Sequence, residues 1–195
     1  MVKTATKRTK SKLRNAEIIF SEKEISKRVG ELAAQIARDY ANKHPYIIVV
    51  LKGAFIFASD LIRRMNIPLE IDFMAIESYC NSDKSSGVVR ITKDLDANIE
   101  SRHVLVVEDI VDSGRTLSYL LGNLATRRAA SIKVATLFDR PDRREVDVRI
   151  DYKGFDIPDK FVLGYGMDYA QHYRDLPYVF TLDYFPSESE MIARR

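Results

Sequence analysis

The segment His103–Leu117 reads HVLVVEDIVDSGRTL, and it concentrates the reactive side chains of the chain. An apolar strand delivers two adjacent carboxylates, Glu108 and Asp109. A third, Asp112, follows, and Ser113, Gly114, Arg115 and Thr116 open a helix. The second half is an anion site. A helix N-terminus presents unpaired N–H groups and a partial positive charge, Gly114 permits a tight turn, and the two hydroxyls add donors, so a phosphate monoester fits there. The first half would repel a phosphate. Glu108 and Asp109 must face hydroxyl donors or a metal ion on the same ligand, and a sugar phosphate with a vicinal diol and chelated magnesium satisfies both halves. Rival phosphate-site chemistries fit less well. The segment lacks the GxxxxGK[ST] of a Walker loop and the GxGxxG of a dinucleotide fold. Phosphoacceptor receiver domains carry acids after a strand, but no Ser-Gly-Arg-Thr loop directly behind them. The plainest alternative is a set of acids that only caps a helix.

The strand and helix around this turn require a sheet. Ser21 and Glu24 form a capping-box pattern, after which Ile25, Val29, Leu32, Ile36 and Tyr40 recur at helical spacing until His44-Pro45. Tyr46–Leu51 is a continuous apolar run, as in a strand buried on both faces of a parallel sheet. Gly53 turns the chain into a second amphipathic helix with Phe57, Leu61, Ile62 and Met65. Leu69, Ile71 and Phe73 alternate with Glu70 and Asp72, the pattern of a half-buried strand. The polar stretch Tyr79–Gly87 predicts a mobile loop, with Val88–Thr92 as its hairpin return. Val104–Val107, a helix bearing Leu117, Leu120, Leu121 and Leu124, and Ile132–Phe138 make a right-handed βαβ unit. Short strands follow, including Phe161–Leu163 and Tyr178–Leu182. The class is α/β, a central and mostly parallel sheet flanked by helices, whose ligands bind at the carboxyl ends of the strands.

Composition narrows the field. The 195 residues suit one domain, over 16–195. The net charge of +3 comes from the arm 1–15, where Lys3, Lys7, Arg8, Lys10, Lys12 and Arg14 meet no acid. That arm reads as disordered and solvated; binding RNA or a membrane surface is its other reading. Cys80 is the only cysteine, which excludes an internal disulfide and fits a reducing compartment. No apolar run is long enough to span a membrane and no secretion signal is present, so the chain reads as cytoplasmic.

VVEDIVDSGRT resembles the phosphoribosyl-pyrophosphate motif of the type I phosphoribosyltransferases: apolar residues, two acids, then D-[ST]-G-x-T. LKGAF, ESYC and GFDIPDKFVLGYGMDYAQHYRDLPYV are similar to the hypoxanthine-guanine branch, so the likeness spans roughly 17–184. It implies a small hood of short strands and loops over the sheet, and a set of roles. Glu108 and Asp109 would meet the ribose hydroxyls and a magnesium ion. Asp112 would be the general base or acid at purine N7. Ile110 and Val111 belong to the same binding stretch, and Ser113–Thr116 would hold the 5′-phosphate. Lys52 and Gly53 resemble the pyrophosphate loop. Phe161 would stack on the base, with the Val162 backbone at its edge and Lys160 beside the pocket. Asp168 would hold a second magnesium through water, and Arg174 would contact pyrophosphate. Ser78 and Tyr79 sit at the hinge of a lid formed by Tyr79–Gly87.

One position departs from that family. Where its members read the purine 6-oxo group with a lysine just before a proline, Phe138-Asp139-Arg140-Pro141 carries arginine. Arginine still donates to a carbonyl oxygen, through a bulkier planar fork. The resemblance implies a magnesium-dependent transfer from phosphoribosyl pyrophosphate to a 6-oxopurine, giving IMP or GMP, by a homodimer or homotetramer. The competing readings are a regulator of the same fold that binds RNA through its basic arm, and a transferase for another nucleobase such as xanthine or a pyrimidine.

Overall fold

The computed structural model of the chain describes residues 16–79 and 88–182. The basic arm, the lid residues 80–87 with Cys80, and the last residues lie outside them. In chain order the elements are β1 (Ala16–Phe20), α1 (Glu22–Asp39), β2 (Tyr46–Leu51), α2 (Phe55–Met65), β3 (Glu70–Tyr79), β4 (Val88–Lys93), β5 (His103–Val111), α3 (Arg115–Ala125), β6 (Ser131–Asp139), β7 (Tyr152–Asp156), β8 (Val162–Leu163) and β9 (Val179–Leu182). Six strands form one sheet in the order β4-β3-β2-β5-β6-β7. Every neighbouring pair in it is parallel except β3 with β4. A second sheet, β1-β9-β8, is antiparallel and forms the hood.

The apolar runs of β2 and β5 have the meaning their composition suggests. Ile47, Val49, Leu105 and Val107 enter the core beneath α1 and α2, while Ile48, Val50, Val104 and Val106 enter a second core beneath α3. Both faces of these strands are therefore dry. Helix α1 starts at the capping box: the Ser21 hydroxyl accepts from the Glu24 N–H, and Glu24 reaches back to the Ser21 N–H. Its stripe Ile25, Val29, Leu32 and Ile36 is fully buried, each side chain contributing about 1.5–3 kcal/mol. The helix stops at Asp39, before His44-Pro45. Asn42 and His44 take left-handed backbone angles and already turn the chain.

Strand β3 departs from its alternation pattern. Asp72 is buried and Ile71 is 40% exposed. The Asp72 carboxylate accepts from the Tyr46 hydroxyl at 2.7 Å and from the N–H groups of Asp96 and Phe73, both at 2.7 Å. A carboxylate so fully bonded tolerates burial. Strand β5 also runs further than its apolar letters, so that Glu108–Val111 lie within it. Strand β8 begins after Phe161, and β1 and β7 were not evident as strands from pattern alone. Among the described residues no helix is long and apolar enough to cross a membrane.

Candidate active site

β2 and β5 are neighbours, yet the helices that follow them pack on opposite faces, α2 in one core and α3 in the other. The strand order diverges between them, and the crevice at their carboxyl ends is where an α/β sheet offers a ligand site. Lys52-Gly53 leaves β2 there, and Asp112-Ser113-Gly114 leaves β5. Arg140 leaves β6, and the hood segment between β8 and β9 lies over them.

The first contact in this crevice joins β2 to β5. A methyl group built on Gly53 would overlap the carboxylate of Asp109, and one built on Gly166 would overlap the carbonyl oxygen of Gly53. Only glycine lets the three segments approach so closely. The Leu51–Lys52 peptide bond that begins this loop is cis.

Pleat alternation separates the two adjacent acids. Glu108 follows Val104 and Val106 on the α3 side, and Asp109 follows Leu105 and Val107 on the side of Gly53. Glu108 is buried, and desolvation, then the neighbouring Asp109 charge, raises its pKa well above the carboxylate range. Desolvation likewise pushes Asp109 up to about 6. Two backbone N–H groups and Arg174 pull it back down, and Asp168 adds to the rise. The molecule thus keeps two acids in a poorly solvated place without a full set of partners.

Asp112 stands at the mouth. Its Oδ2 accepts from Arg140 Nη1 at 3.1 Å, and its Oδ1 is shielded from solvent without a hydrogen-bond partner. Arg140 is buried, donates through Nη2 to the Lys160 carbonyl at 2.6 Å, and leaves Nε unpaired. Asp112 is not the N-cap of α3. That position belongs to Gly114, at a φ of 82°, with no side-chain cap. Gly114 has no side chain with which to cap α3, and the Arg115 N–H makes a long contact to the Ser113 hydroxyl at 3.4 Å. Thr116 sits in the first turn of the helix, while the Arg115 guanidinium turns aside to Glu145. Ile110 packs against the core and Val111 is buried, so these two residues offer the crevice backbone only.

Across the crevice, Arg174 donates to the Gly166 carbonyl at 2.7 Å and pairs with Asp168 at 2.6 Å. The other Asp168 oxygen accepts from the Gln171 N–H at 2.8 Å. Gln171 Oε1 lies 3.5 Å from Lys52 Nζ and 3.4 Å from Arg174 Nη2. Lys52, Gly53, Asp109, Asp168 and Arg174 are thereby brought into one cluster. Gln171 and Gly166 were not anticipated from the sequence. The Gly164-x-Gly166 spacing was the available signal.

On the base side, Phe161 is 49% exposed and meets Tyr169 edge-on, with ring centroids 6.3 Å apart. Its carbonyl accepts from the Thr181 hydroxyl, and Val162 is buried in β8. The Lys160 ammonium points away to Glu17 of β1, at 3.0 Å. Ser78 and Tyr79 end β3, paired with Val89 and Val88. Among the described residues no three His, Cys, Asp or Glu side chains converge as a ready metal cage. Glu108 and Asp109 are adjacent carboxyl groups on β5 at the crevice. A hard cation that takes a few carboxylates, with its other ligands from substrate oxygens and water, suits such a pair.

The chain is similar to known proteins in sequence and fold. The family model described as "Phosphoribosyl transferase domain" matches residues 15–170. The hypoxanthine-guanine phosphoribosyltransferase of Bacillus subtilis (strain 168) is 50% identical over 166 residues, covering 85% of this chain and 92% of that protein. The solved hypoxanthine phosphoribosyltransferase of Staphylococcus aureus superposes with a TM-score of 0.82 at 43% identity, over 85% of this chain and 90% of that one. A Trypanosoma cruzi hypoxanthine phosphoribosyltransferase variant, solved as a ternary substrates complex, gives 0.79 at 41% identity, over 85% of this chain and 94% of that one. The chain therefore belongs to the phosphoribosyltransferase family, among the hypoxanthine-guanine phosphoribosyltransferases.

Proposed function

We infer that this crevice transfers the 5-phosphoribosyl group of phosphoribosyl pyrophosphate to hypoxanthine or guanine, releasing pyrophosphate and forming IMP or GMP. The chain is an enzyme of purine salvage, as its family membership indicates. The observation that carries the residue-level reading is the meeting of Gly53, Asp109 and Gly166. It sets the loop after β2, the acids of β5 and the hood around one small volume.

The turn Ser113–Thr116 receives the 5′-phosphate through the N–H groups at the start of α3. Asp109 and Glu108 accept from the ribose hydroxyls. Lys52, the Gly53 backbone and Arg174 surround the leaving pyrophosphate. Phe161 stacks on the purine and the Val162 backbone meets its edge, with Lys160 contributing its carbonyl grip on Arg140. Arg140 presents donors only, so it suits a 6-oxo group and has no partner on a 6-amino group. Asp112 takes the N7 proton as the bond to C1′ forms, and its unpaired Oδ1 is the oxygen available for it. Magnesium, held by Glu108 and Asp109 with the donor's own oxygens, and a second ion reached through water by Asp168, would neutralise charge on the leaving group. In this reading the enzyme acts in the cytoplasm as a homodimer or homotetramer.

The test is pyrophosphate release with donor, magnesium and each nucleobase in turn. Release with hypoxanthine and guanine but not adenine is expected. Turnover of adenine comparable to that of hypoxanthine would remove the role of Arg140, and silence with every purine would remove the assignment.

A further inference from the structure

The turn assigned to the 5′-phosphate is braced from outside as well as from within. Gly114 is left-handed at 82°, and the helix behind it begins without a side-chain cap. What closes the turn is a separate segment, the stretch that follows β6. The Ser113 carbonyl accepts from two successive N–H groups of that stretch, Glu145 at 2.9 Å and Val146 at 3.0 Å. The Val146 carbonyl occupies the space that a side chain at Gly114 would need, and the Arg144 Cδ lies 3.1 Å from that same point. Glu145 pairs with Arg115, the first residue of α3.

Besides its backbone bonds, the bracing stretch is anchored by a largely buried ion pair. Arg144 binds Asp139, the last residue of β6, and Lys153 of β7 approaches the second oxygen of Asp139 at 3.4 Å. Both Asp139 and the Arg144 side chain are largely shielded from water, at 9% and 17% exposure. A pair in that setting is strong when whole and costly when broken.

We propose that Arg144, held by Asp139, is a positioning residue for the 5′-phosphate: it presses the 144–146 backbone against Ser113 and Gly114 and so fixes the N–H groups that meet the phosphate. This rests on the assignment of Ser113–Thr116 to the phosphate. Loss of Arg144 leaves Asp139 partly unpaired and removes the packing on Gly114, so the turn samples conformations in which its amides diverge. The cost falls on ligands that carry the 5′-phosphate. It spares ligands that do not.

The experiment compares Arg144→Met, Arg144→Lys and Thr116→Ala in the full chain. For Arg144→Met, KM for phosphoribosyl pyrophosphate should rise about tenfold, the size of one lost charge-assisted bond. Inhibition by IMP should weaken in parallel. KM for hypoxanthine and inhibition by inorganic pyrophosphate should stay within about twofold. Arg144→Lys, which keeps the charge opposite Asp139, should recover most of the donor KM. The proposal fails if Arg144→Met leaves donor KM and IMP inhibition unchanged while Thr116→Ala shifts both. It fails equally if Arg144→Met raises the constants of all four ligands alike, which marks general loosening. If neither Arg144→Met nor Thr116→Ala shifts donor KM, the phosphate assignment itself is wrong. Should Arg144→Met not fold, Asp139→Asn with the same four ligands carries the test, and the same split is expected.

Discussion

The two ends of the central sheet treat their acids in opposite ways. At the amino ends of the strands, Asp72 is buried with three donors and Lys93 nearby. Burial works to raise its pKa, but those hydrogen bonds outweigh it and hold the group low. Asp39 at the end of α1 accepts from the Tyr152 hydroxyl at 2.6 Å and from Lys133 at 3.2 Å, and the tyrosine bond is the main reason its pKa is low. At the carboxyl ends, desolvation of Glu108 and Asp109 outweighs their few backbone N–H partners, and Asp112 keeps an unpaired oxygen beside an arginine with an unpaired Nε. One end spends its polar groups on the fold. The other holds them in reserve for a ligand, and the free protein bears the cost.

The sharpest way to break this contrast is at Asp112. Asp112→Asn keeps the shape and removes the base, so turnover should fall about 10²–10⁴-fold with a modest change in donor KM. Steady-state kinetics decides it, and unaltered turnover would strip Asp112 of its role. Next comes Gly53→Ala. The added methyl overlaps Asp109 and must displace either the loop after β2 or the end of β5, lowering kcat/KM on the order of 100-fold. Wild-type kinetics in that variant would show that the contact opens when substrates bind.

At the other end, Asp72→Ala should cost about 2 kcal/mol of stability, because the Tyr46 hydroxyl and the Asp96 N–H lose a buried acceptor. Turnover per folded molecule should not change, as read by urea unfolding beside active-site titration. The smallest effect has the opposite sign. Glu108→Gln removes a charge that the fold disfavours, so the ligand-free variant should gain about 1 kcal/mol, or roughly 2–4 °C in Tm at neutral pH, while its activity drops.

The pH dependence follows the same division. A carboxyl group whose pKa is raised by folding stabilises below its unfolded value, and that contribution is lost as pH rises through the folded value. For Asp109 the loss runs from its ordinary 3.8 to about 6. Asp39 and Asp72 do the reverse: their contribution is present above 3.8 and disappears as pH falls through their lowered values. Melts of Asp109→Asn against the parent should therefore diverge across that acid range in favour of the variant. Parallel melting curves would contradict the desolvation of this site.

The sequence showed the two kinds of acid unequally. The acids of β5 were legible because a strand letter pattern runs straight into a Ser-Gly-Arg-Thr turn, and that adjacency has few other uses. The strands β2, β5 and β6 and the stripes of α1 to α3 were legible from period alone. Asp72 was not, since alternation assigns it to water and only the folded chain brings Tyr46 and Asp96 to it. Strands β1 and β7 escaped for a related reason. They are short edge pieces whose strand state comes from the partner they add to, β9 and β6. Gln171 and the 144–146 brace depend on contacts between segments far apart in the chain, several of them to backbone, and those have no signature in a local letter pattern.

The interlock of Gly53, Asp109 and Gly166 also limits how this pocket can be redesigned. Two of its three members already carry the smallest side chain, so no further trimming there can make room for a bulkier donor. Extra volume has to come from moving the stretch 164–174 as a whole, together with the Arg174–Asp168 pair it carries.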